Sequence, residues 1–120
     1  MDKTKALAEL IAKVEAGEWQ HTDWPTVEKG FWGNWNEAAL HFQLAFNGSL
    51  DAAKALHEAV LPGWSPSVGQ NAHHGYWFAT VMRAENGTIA ADTTGTGPCP
   101  ARAWLLAILR ALHAQADTAQ

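Results

Sequence analysis

The chain has 120 residues, 48% of them hydrophobic and 17% charged, and its 8 Lys and Arg against 12 Asp and Glu leave a formal charge of −4. That composition fits one domain with a packed core and excludes disorder of the whole. The acidic balance argues against affinity built on neutralising DNA or RNA phosphates.

No apolar run reaches the roughly 18 residues of a membrane span, and the opening Met1, Asp2, Lys3 lacks the order of a secretion signal. A single Cys99 excludes an internal disulfide. These features predict a cytoplasmic protein without a membrane partner.

In chain order, Leu7, Leu10, Ile11 and Val14 recur at helical spacing within residues 2–16, and Gly17 stands where a C-terminal cap belongs. From 18 to 35 the pattern gives way to Trp19, Trp24, Phe31, Trp32 and Trp35, punctuated by Pro25, Gly30 and Gly33. So much aromatic surface predicts an ordered, Trp-rich loop. Asn36 can cap a second helix that ends at Asn47-Gly48, and its apolar residues, spread nearly all round, predict burial. Ser49 caps a third, with Asp51 in its first turn, Ala53, Leu56 and Val60 inward, His57 and Glu58 on its polar side, and Pro62-Gly63 as the stop.

The period then changes to two. Residues 64–68 form an edge strand, restricted to the edge by Pro66, and 76–84 is the strongest strand. Asn86-Gly87 is the preferred type I′ turn into a strand over 88–93. With Glu85 opposite Thr88, Ala84 pairs with Ile89, Met82 with Ala91 and Thr80 with Thr93. The face with Tyr76, Phe78, Met82, Ile89 and Ala91 is expected to cover the helices. The other, with Trp77, Val81, Arg83 and Asp92, is expected to look outward. Residues 93–100 read as a loop and Pro100 opens a last helix, in which Ala101, Trp104, Leu105, Ile108, Leu109 and Leu112 share a face; the tail after Ala114 reads as frayed.

The expected architecture is α+β: an antiparallel sheet of about three strands packed between or against helices, α-β-α sandwich-like. It forms a single domain over 1–120, with an N-terminal helix (1–17), the Trp-rich loop (18–35), and helices, hairpin and C-terminal helix (36–114). The helix from Ser49 and the C-terminal helix are both expected on the sheet.

The run S-L-D-A-A-K-A-L-H-E-A-V-L-P-G-W, an aromatic hairpin, and P-A-R-A-W-L-L-A-I-L-R-A-L follow one another over 47–114. This order resembles the phage ABA sandwich domain family of small phage and prophage proteins. The resemblance implies a phage origin and a layered α+β fold, and it brings no catalytic residues. The Trp-rich stretch has no counterpart in it.

Two groups of residues carry the candidate chemistry. Thr94, Gly95, Thr96 and Gly97 feed a helix with Arg102 in its first turn, a place where backbone N–H groups and a guanidinium could hold a phosphate; the alternative is a loop whose glycines serve turns. On the sheet, Trp77 could stack on a base while Arg83, near Asp92, meets an anion. Alternatively Arg83 pairs diagonally with Asp92, Trp77 packs under the loop, or the face joins two subunits.

Trp19, Trp24, Trp32 and Trp35 could wall an aromatic pocket with His21 and Asp23 at its rim, or form a satellite cluster over the sheet. His73 and His74 are candidates for hydrogen bonding to a ligand or at the surface. The six histidines show no metal-ligand spacing, His57-Glu58 lacks the second His of H-E-x-x-H, and Cys99 carries no nucleophile signature. No metal, cofactor or catalytic residue is therefore expected.

These features, with the phage context, predict a non-enzymatic homo-oligomer that sequesters a small, phosphate-bearing, nucleotide-derived immune signal, such as an ADP-ribose or cyclic nucleotide species: an anti-defence sponge. The alternatives are an adaptor or inhibitor that grips a host protein through its Trp-rich surface, and a hydrolase of such a signal.

Overall fold

The computed structural model describes residues 3–18 and 35–118, with side chains at 3–18 and 40–117. The expected Trp-rich loop, including Trp19, His21, Asp23, Trp24 and Trp32, lies outside the described residues, as does the side chain of Trp35. Among those described are four α-helices and one three-stranded antiparallel sheet, an α+β fold. In order they are α1 (Lys3–Ala16), α2 (Trp35–Phe46), α3 (Leu50–Val60), β1 (Ser65–Gln70), β2 (Trp77–Glu85), β3 (Thr88–Gly97) and α4 (Pro100–Thr118).

Local chemistry sets several of the boundaries. Gly17 caps α1 at φ +70°, its N–H bonding to Val14 O at 3.1 Å. The Ser49 side chain accepts from Ala52 N–H at 3.1 Å at the start of α3. Asn86 and Gly87 both take positive φ, 54° and 78°, as a type I′ hairpin turn requires.

The centre of the molecule is α4. Ala101, Trp104, Leu105, Ile108, Leu109 and Leu112 are buried as their spacing predicts, but so are Ala103, Leu106, Ala107 and Ala111 on its other side. One side of α4 lies against the sheet, while α1, α2 and α3 contact the helix and complete the core. Contrary to expectation, α3 does not share in covering the sheet to any comparable degree; α4 makes that contact. Where fraying was expected after Ala114, α4 continues among the described residues to Thr118.

The sheet presents the opposite face from the one expected. Ala79 and Val81 are buried and Trp77 packs on the core, whereas Tyr76, Phe78 and Ile89 are exposed, Ile89 at 57%. The reason is how closely α4 approaches. A Cβ at Gly95 would lie 2.4 Å from Ala103 O and 2.5 Å from Ala107 N, and one at Gly97 3.2 Å from Ala103 N. Only small residues fit beneath the helix there, so the face with the bulky Phe78 is turned away. Thr93 fastens the contact by donating from Oγ1 to Ala107 O at 2.7 Å.

Two further expectations need correction. The hairpin begins in register, Glu85 opposite Thr88 and Ala84 opposite Ile89, but a bulge shifts the rest, so Met82 faces Asp92 and Thr80 faces Thr94. The strand also runs on to Gly97, so Thr94, Gly95, Thr96 and Gly97 are not in a loop. Helix α2 is not buried all round, because Leu40 and Leu44 are exposed at 55% and 43%.

Replacing Gly95 with Ala should force α4 from the sheet and cost about 3 kcal/mol. Thr96→Ala, on the solvent face, should change stability by no more than about 0.5 kcal/mol. Urea unfolding of the two variants measures the difference.

Candidate functional site

The bulge and the strand pairing together build a groove at the hairpin end of the sheet. Ser65 lies opposite Met82, which carries the preceding residue, Trp64, to the position opposite Arg83; Arg83 in turn faces Ala91. Beyond Ala107 the C-terminal part of α4 leaves space over this row. The resulting groove, about 430 Å³, is lined by Trp64, Arg83, Ala91, Asp92, Thr93, Ala111, Ala114 and Gln115.

Its chemistry is that of an aromatic plate beside a cation. The Arg83 guanidinium carbon stands 6.0 Å from the centroid of the Trp64 ring. Glu85, at 3.6 Å, is the nearby carboxylate, and both side chains are about half exposed. An exposed pair of this kind is easily exchanged for another anion.

Asp92 lines the groove, but its pairing with Met82 places it on the sheet face opposite to Arg83, so the expected diagonal pair does not form. Trp64 was not among the sequence-derived site residues, nor was Gln115. Extending the hairpin register through the edge strand is the signal that would have placed Trp64 beside Arg83.

Behind the groove Trp64 is tied to the core. His57 is only 4% exposed, in contrast to the polar-face position expected for it. Its Nε2 lies 2.8 Å from Trp64 O, and Trp104 Nε1–H donates to its Nδ1 at 3.1 Å. The imidazole therefore links α3, α4 and the start of the sheet.

The other expected site residues fall elsewhere. Trp77 lies six residues along β2 from Arg83, roughly 20 Å at about 3.3 Å per residue, so the two cannot hold one small ligand. Gly95 and Gly97 lie under α4, and their lack of a side chain serves helix packing. Thr94 and Thr96 are exposed on the solvent face, where Thr94 Oγ1 bonds Thr80 Oγ1 at 3.1 Å.

Arg102 turns to protein. Its Nε and Nη2 donate to Phe46 O at 3.3 and 3.1 Å, and its guanidinium carbon sits 4.2 Å from the centroid of the Phe46 ring. Together these contacts secure the C-terminus of α2 to α4. The expected phosphate clamp of Arg102 and a Gly-rich loop is thus replaced by a strand–helix contact and a helix-end bond.

His73 and His74 are exposed in the β1–β2 connection, their backbone N–H groups donating to Asn71 Oδ1 at 3.0 Å each, and the His74 ring stacks on Tyr76 at 6.0 Å. They stand at the Trp77 end of β2, remote from the groove. Cys99 is a partly buried free thiol. Among the described residues, no three or more His, Cys, Asp or Glu side chains are placed to hold a metal, and no helix is long and apolar enough to cross a membrane. Compared with family models, curated proteins and solved structures, the chain has no significant match.

Arg102→Ala removes both bonds to Phe46 O and the stacking, and should lower stability by about 1–3 kcal/mol. Thermal and urea unfolding of the variant check the value.

Proposed function

We propose that this chain is a non-enzymatic binding protein whose ligand is small, anionic and ring-bearing, held in the groove between β2, β3 and the end of α4. The observation that carries the reading is the pairing of Trp64 with Arg83 in a concave site of about 430 Å³, within the range of about 300–1,000 Å³ typical of small-molecule sites. The Trp64 indole offers a surface for a base or comparable ring, Arg83 offers a fork for phosphate or carboxylate, and Thr93 and Gln115 bring polar groups to the walls. A nucleotide-derived immune signal combines these two chemistries. With the phage setting implied by the resemblance over 47–114, the biological reading is an anti-defence sponge in the bacterial cytoplasm, acting by stoichiometric capture. Arg83 remains in the proposed site, Asp92 borders it from the other sheet face, and Trp64 takes the stacking role first given to Trp77.

A second reading, an adaptor that binds a host protein, is favoured by a different surface. Tyr76, Phe78 and Ile89 are exposed large hydrophobics beside the sheet's solvent face, the kind of apolar area that protein partners cover. The same area would serve a homo-oligomer.

Calorimetric titration with ADP-ribose, a cyclic dinucleotide and NAD, followed by heat release and chromatography of the bound molecule, tests the leading reading. Tight binding with intact release is the expected result, and Trp64→Ala or Arg83→Ala should each weaken it about 10- to 100-fold, the loss of one stacking or charge-assisted contact. Release of an altered molecule would make the protein a hydrolase. No binding across the panel, with one stoichiometric protein retained from a bacterial lysate, would favour the adaptor.

A further inference from the structure

An indole N–H can only donate and a carbonyl oxygen can only accept. The two partners of His57 therefore assign its protons. Because Trp104 Nε1–H points at Nδ1 at 3.1 Å, Nδ1 must carry its lone pair; because Nε2 lies 2.8 Å from Trp64 O, Nε2 must carry the hydrogen. The ring is neutral, in a single tautomer, and 4% exposed.

We infer that His57 is a positioning residue for the groove: a neutral imidazole strut that ties Trp64, the aromatic wall, to Trp104 in the core, and that gives way when it takes a proton. The inference rests on reading the groove as a ligand site. A proton from solvent can add only at Nδ1, where it sets one donor against another and expels the Trp104 N–H from its bond. The neutral form makes both hydrogen bonds and the charged form makes one. Acid therefore loosens the strut, and base leaves it intact.

The surroundings offer little to compensate for that charge. From α4 and from the residue before β1 the groups in contact with the ring are the Trp104 indole and the Trp64 carbonyl, neither of which titrates. The nearest charged residues on His57's own helix are Lys54 and Glu58, which pair with each other at 3.9 Å in solvent. On β2 the cation is Arg83, standing over the Trp64 ring. On α4, two positions from Trp104, Arg102 is turned to Phe46 O. Among these described contacts no carboxylate faces the imidazole to stabilise its charged form.

Long-range ¹H–¹⁵N spectra of the full chain test the assignment, with the His57 signal identified by its absence in His57→Gln. The expected result at neutral pH is a protonated Nε2 and a bare Nδ1. As acid is added, the Trp104 indole N–H and the Trp64 ring signals should move together with the His57 signal. An Nδ1–H tautomer would overturn the inference, as would Trp104 and Trp64 signals that stay fixed while His57 titrates, or loss of the whole fold before it does.

Trp104→Phe supplies a second arm, keeping a ring in the core while deleting the N–H. With the fold retained by circular dichroism, its affinity for ADP-ribose at pH 7.5 should fall at least about fivefold, the loss of one hydrogen bond passed on to the wall; unchanged affinity would overturn the strut. Failure of the wild-type chain to bind ADP-ribose would count against the groove reading, while the spectra would still decide the state of His57.

Discussion

The contact between α4 and β3 at Gly95 is the constraint on which the rest of the molecule depends. Strand and helix backbones meet there at a distance no side chain could occupy. With Gly95 and Gly97 on the strand, and Ala103 and Ala107 on the helix, α4 sinks into the sheet and is buried on opposite sides through most of its length. Three other helices clothe it, and Leu7, Leu10, Phe42 and Leu56 from them join its apolar residues in one core.

The groove is the other end of the same geometry. Where the strand carries glycine, helix and sheet touch. Toward the hairpin the strand carries Thr93, Asp92 and Ala91, the bulge turns the pairing, and contact gives way to a cleft floored by Arg83. Arg110 lies along this transition, donating to Thr94 O and pairing with Glu15 of α1 at 3.3 Å. Polar groups gather where the packing opens, since water can reach them there, and Trp64 belongs to both environments. Its ring edges the core and lines the cleft, while its carbonyl is held by a buried histidine.

Most of the elements were legible in the sequence because their signals are local. Leu7, Leu10 and Val14 announce α1, Ser49 starts α3, and Asn86-Gly87 turns the hairpin. The choice of sheet face was not, because large apolar side chains usually mark the buried face and here steric room reverses the rule: Phe78 is too large to lie where Ala79 does. The bulge was equally hidden, since it inserts Ala90 into a run of small residues whose alternation is weak. Of the residues around the groove, Arg83 and Asp92 were among those singled out in the sequence, but Trp64 needed the register of the edge strand. His57 and Arg102 were misplaced for a shared reason. Each satisfies its polar groups on backbone or indole partners distant in sequence, and periodicity carries no record of such partners.

The place of α4 in the chain order bears on how the protein is made. It is the last of the described elements, yet α1 and the sheet have their main packing surfaces on it. At about 5–20 residues per second, the interval between emergence of α1 and emergence of α4 is on the order of ten seconds. Throughout it Leu7, Leu10 and Val14 have no finished surface to join. The nascent chain therefore exposes these apolar segments until α4 has emerged, and consolidation of the core waits on that helix.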